Sequence, residues 1–98
     1  MSKINQLYAR LAKDTSTQQS LFTGKFVGIA SIELTLSSSA SGTANFAIYE
    51  NGEEKISERV TAGQSIHYSP PQLASEVAFY VNYYDGSDLP TADAIVSF

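Results

Sequence analysis

From Phe26 onward, apolar and polar residues exchange places with a period of two. Phe26, Ala30, Ile32, Leu34 and Leu36 share one face, and Ser31, Glu33, Thr35 and Ser37 take the other, which predicts a half-buried antiparallel strand. Gly28 reads as a bulge or bend inside it, and the run from Ser37 to Gly42 as a loop. Ala44, Phe46 and Ile48 alternate with Asn45, Ala47 and Tyr49 ahead of Asn51-Gly52. Both residues of that pair accept positive φ in a type I′ turn, so residues 43–50 and 53–60 are expected to form a hairpin. Thr61 to Ser65 predicts a second turn, and Ile66 with Tyr68 a short strand stopped at Pro70-Pro71. Val77, Phe79, Val81 and Tyr83 alternate with Ala78, Tyr80, Asn82 and Tyr84, and Ala94, Val96 and Phe98 mark a last strand.

Ahead of Ser20 the spacing is helical. Ser2 suits an N-cap, and Ile4, Leu7, Tyr8 and Leu11 fall at i, i+3, i+4 and i+7, with Lys3, Asn5, Gln6, Arg10 and Lys13 opposite. Residues 1–14 are therefore expected as an amphipathic helical arm, 15–20 as a polar linker and 21–98 as the main domain. The stripe has two uses open to it: docking on its own core, or packing on another subunit. The polar linker favours a detachable arm, which makes Ile4, Leu7, Tyr8 and Leu11 the candidate oligomerisation residues. Turn signals about every 8 to 12 residues give the fold class as all-β. The expectation is a small antiparallel sandwich of immunoglobulin-like or jelly-roll kind, with six or seven strands behind one N-terminal helix.

Composition narrows the function. Ninety-eight residues hold one domain and one core, and six Lys+Arg against ten Asp+Glu give a net charge of -4. That balance lacks the positive field that phosphates or anionic lipids require, so neither nucleic acid nor membrane is expected as a partner. No cysteine is present, which removes thiol catalysis and cysteine-ligated zinc. The first twenty residues contain no continuous apolar region. Synthesis in a cytoplasm without a signal peptide is the expectation, with a virion or other extracellular particle left open as destination.

Candidate chemistry is sparse. His67 is the single histidine, and alternation with Ile66 and Tyr68 points it to solvent; no G-x-S-x-G, G-x-x-x-x-G-K-[ST] or G-x-G-x-x-G is present. Glu50, Glu53, Glu54 and Glu58 gather at the hairpin, as a charged tip that resists aggregation. Asp85, Asp88 and Asp93 do not follow the EF-hand spacing, and turn chemistry explains the loop that holds the first two. No enzyme activity, metal or cofactor is expected. Tyr49, Tyr80 and Tyr84 fall opposite the apolar face of their strands, and would offer a surface to a protein partner or a glycan.

The leading functional expectation is a non-catalytic structural or assembly module: a self-associating accessory component of a larger particle, of phage or virus type by analogy of architecture alone. It would contact copies of itself and another protein of the assembly. The alternatives are a monomeric domain that recognises a glycan or protein through the tyrosine face, and an acidic inhibitor that covers a basic partner with Glu50, Glu53, Glu54 and Glu58.

Overall fold

Asn51 and Gly52, midway along the chain, form an exposed turn. Their φ values of 52° and 82° are those of the expected turn, and they join β4 (Ala44–Glu50) to β5 (Glu53–Val60) as an antiparallel hairpin. The computed structural model describes residues 4–10, 19–27, 31–70, 74–88 and 90–97. The other described strands are β1 (Ile4–Arg10), β2 (Gln19–Val27), β3 (Ser31–Leu36), β6 (Ser65–Tyr68), β7 (Ala74–Tyr84) and β8 (Thr91–Ser97).

Moving outward from the turn, β3 pairs β6, β2 pairs β7 and β1 pairs β8, all antiparallel. The described strands thus form one long hairpin, β1 to β4 running against β8 to β5. It is then rolled so that β3 also meets β8 and β4 also meets β7. Two four-stranded sheets result, in the orders β1-β8-β3-β6 and β2-β7-β4-β5. This wrapping is that of a jelly roll, and of the two sandwich types left open by the sequence it is the one the strand order matches.

Three expectations change. Over residues 4–10 the chain is a strand hydrogen-bonded to β8, with Ile4 opposite Ser97 and Leu7 opposite Ala94, and is no helix. A strand places alternate residues on opposite faces, so it does not gather positions i, i+3 and i+4 into one stripe. Leu11 lies outside the described residues, as do residues 12–18 of the arm and linker; Gln19 and Ser20 already belong to β2. The single long strand expected across Gly28 is two strands in different sheets, which brings the described strands to eight.

Alternation does what it should in the core. Ile32, Leu34 and Leu36 of β3, Ile66 of β6, and Ala92, Ala94 and Val96 of β8 are buried from one sheet. Ala44, Phe46 and Ile48 of β4, with Val77, Phe79 and Val81 of β7, are buried from the other and pack with them as one cluster. The Phe22 ring meets Phe79 edge-on, with centroids 5.8 Å apart. β5 is the outer strand of its sheet and carries Glu53, Glu54, Lys55, Glu58 and Arg59, all exposed; such charge blocks edge-to-edge pairing with other chains.

Candidate functional site

One irregularity in β7 decides where its last two tyrosines go. β7 carries an extra residue, Asn82, between the pairs Phe46–Val81 and Asn45–Tyr83. This bulge reverses the alternation beyond it. Tyr84 therefore turns inward and is 1% exposed, while Tyr83 turns outward and is 41% exposed. Tyr84, expected on the outer surface beside Tyr49 and Tyr80, is a core residue.

Its hydroxyl has a structural task. Tyr84 Oη donates to Asp88 Oδ1, and Ser41 Oγ donates to the same oxygen at 2.7 Å. Next to them, Thr43 N donates to Asp85 Oδ1 at 2.7 Å and Thr43 Oγ1 to Asp85 Oδ2 at 3.1 Å. The two carboxylates pin the 85–88 loop to the 41–43 loop, and they accept from the protein's own donors. A Cβ on Gly86 would overlap the Tyr84 hydroxyl and ring, so the corner closes only around glycine. The hydrogen bond from the Thr43 amide lowers the pKa of Asp85, and that from Tyr84 lowers the pKa of Asp88. Burial, and then the Asp88 carboxylate, raise the pKa of the Tyr84 phenol. A carboxyl group with a depressed folded-state pKa stabilises above its unfolded value, and that contribution is lost as pH falls. The melting temperature is accordingly expected to fall below about pH 4. Asp88→Asn should flatten that acid limb in melts followed by circular dichroism; an unchanged limb would contradict the assignment.

Tyr49 and Tyr80 remain as expected, side by side on the outer face of the β2-β7-β4-β5 sheet. Their rings meet edge to face, with centroids 5.0 Å apart and planes at 71°. Tyr80 stands opposite Ala47, and Tyr49 opposite Ala78, so each ring lies over a small neighbour. Ala47 is fully buried although its position in the strand alternation is on the outer face. Tyr49 Oη donates to Glu54 Oε2 at 3.2 Å. Together with Gly24, Gly52, Glu76, Val77 and Ala78, the two rings line an open cavity of about 570 Å³. The wall at the hairpin tip is held in place by two bonds: Asn51 N to Glu76 O at 2.7 Å, and Glu76 N to Asn51 Oδ1 at 3.0 Å.

The acidic tip is smaller than the sequence suggests. Glu50 is 3% exposed and accepts the Tyr68 hydroxyl at 2.6 Å, a bond that ties β4 of one sheet to β6 of the other. The signal was available, because Glu50 follows Ile48 by two residues and Tyr68 follows Ile66 by two. Glu53, Glu54 and Glu58 stay exposed, with Lys55 3.2 Å from Glu53.

On the other sheet, His67 is exposed with Nδ1 3.4 Å from Glu33 Oε2. Thr35 Oγ1 lies 3.4 Å from Glu33 Oε1 and 2.6 Å from Ser65 Oγ. The carboxylate, and not the imidazole, stands against the hydroxyl, so these contacts do not form the base-to-nucleophile order of a hydrolytic triad. Among the described residues no group of three His, Cys, Asp or Glu is placed to hold a metal ion. No helix among them is long and apolar enough to cross a membrane.

No family model matches the chain, and no curated protein resembles it in sequence. Solved structures do resemble it in fold. The SPBc2 prophage-derived protein YomS is similar at a TM-score of 0.54 and 13% identity, over 98% of this chain and 96% of that one. A chain of the cyanophage Pam1 capsid asymmetric unit is similar at a TM-score of 0.50 and 13% identity, over 98% of this chain and 82% of that one.

Proposed function

We propose that this protein is a non-catalytic structural module, a self-associating accessory component of a phage-type particle that also attaches to another protein of the assembly. The observation that carries the reading is the rolled hairpin itself, matched along nearly its whole length by a prophage-derived protein and by a capsid chain. The described surface adds support: it carries an open cavity lined by two tyrosine rings and one carboxylate, a lining suited to contact with a partner.

Two surfaces serve assembly on this reading. β1 lies at the end of its sheet's strand order, so the segment that holds Ile4, Leu7 and Tyr8 is where a neighbouring copy can extend the sheet. The Tyr49–Tyr80 face serves attachment to a second protein. The monomeric glycan-binding alternative shares that face and differs in mass. Light scattering after size exclusion is expected to give a defined oligomer of the intact chain, at a mass several times that of one subunit. A mass that remains that of one chain over a wide concentration range would overturn self-association.

A further inference from the structure

The cavity under Tyr49 and Tyr80 has a narrower chemistry than a general contact patch. Two tyrosine rings line it together with three residues of little or no side chain, Gly24, Gly52 and Ala78, and with Val77 and Glu76. Glu76 is the one charged residue among those that line it, and Glu54 engages the Tyr49 hydroxyl at its rim. A sugar would need several directional donors and acceptors, and this lining offers two phenol hydroxyls, one of them already bonded to Glu54, and one carboxylate. Aromatic faces beside a carboxylate instead attract a cation, and a planar guanidinium satisfies both at once, stacking on a ring while its N–H groups meet the carboxylate. The size is also suitable, since the backbone at glycine and alanine positions leaves room for a flat group to lie close to the sheet.

We propose that this cavity receives an arginine side chain of a partner protein, with Tyr80 and Tyr49 as the stacking wall and Glu76 as the carboxylate that pairs with the guanidinium. The identification of the occupant as part of a protein rests on the assembly reading above, while the chemistry rests on the cavity.

The test is an amide-resolved NMR titration of the full chain with the capped tripeptide Gly-Arg-Gly. Gly-citrulline-Gly serves as a neutral isostere and methyl glucoside as a sugar probe. The arginine peptide should shift the amides of residues 47–54 and 76–80, and raised salt should weaken it. Citrulline and the glucoside should bind about five- to tenfold more weakly or not at all. Glu76→Gln and Tyr80→Leu should each reduce arginine binding by a similar factor. Glu76→Gln leaves the backbone bonds to Asn51 in place, so it reads the site even if Tyr80→Leu disturbs the sheet. Equal binding of citrulline, preferential binding of the glucoside, or an unaffected Glu76→Gln variant would overturn the proposal. A monomeric protein that still binds the arginine peptide would remove the assembly reading and leave the cavity assigned.

Discussion

Phe79→Ala is expected to cost about 3–5 kcal/mol, the largest loss of any single substitution considered. Phe79 is fully buried in the middle strand pair of its sheet, between β2 and β4. It belongs to the same buried cluster as Ile32 and Leu34 of the opposing sheet, and its ring makes the edge contact with Phe22. Truncation removes the transfer energy of a phenyl group and leaves a cavity that two hydrogen-bonded sheets cannot close. A domain of this size has a total stability of about 5–15 kcal/mol, so the variant should be partly unfolded at 37 °C. Urea unfolding followed by circular dichroism measures it. A loss below about 1 kcal/mol would show that the two layers do not meet at this residue.

Tyr68→Phe should cost about 1.5–3 kcal/mol, the range for a hydrogen bond to a charged group. The substitution leaves the partly buried ring packed against the core and takes away only the hydroxyl that donates to the buried Glu50. Desolvation and the Glu50 bond push the Tyr68 pKa up to about 12. A raised folded-state pKa means that this contribution is complete below the ordinary tyrosine value of about 10 and is lost as pH climbs toward 12. Wild type should therefore lose its margin over Tyr68→Phe in that alkaline window. A margin that is absent at pH 7, or that persists above pH 12, would contradict the bond between sheets.

How much of this was legible follows from where each signal is stored. The Asn51-Gly52 hairpin is local, since two adjacent residues determine the turn; its register, shifted by the extra residue Lys55 between the pairs Ile48–Ile56 and Tyr49–Glu54, is not read from alternation. The inward faces of β3, β4 and β8 are local in the same way. The first strand is not. Ile4, Leu7 and Tyr8 satisfy a helical spacing, and only pairing with residues 91–97 at the far end of the chain decides for a strand. Tyr84 failed for a related reason. Alternation alone puts it outside, and the bulge at Asn82 is visible only against the register of β4. By contrast, Tyr49 and Tyr80 were placed together from their own strands, because no bulge intervenes between Phe79 and Tyr80. Their shared cavity, with Glu76 and Gly52, needed the tertiary fold: the hairpin tip is held on β7 by the Asn51 side chain, a contact that no spacing encodes.

The claim on which the rest stands is that the described strands form one hairpin, tipped at Asn51-Gly52 and rolled so that β1 pairs with β8. Cross-strand nuclear Overhauser contacts measure this directly. The account predicts backbone contacts between residues 4–10 and 91–97, in register with Leu7 opposite Ala94, together with contacts between residues 32–35 and 65–68. Helical contacts within residues 4–10, with none to residues 91–97, would contradict it.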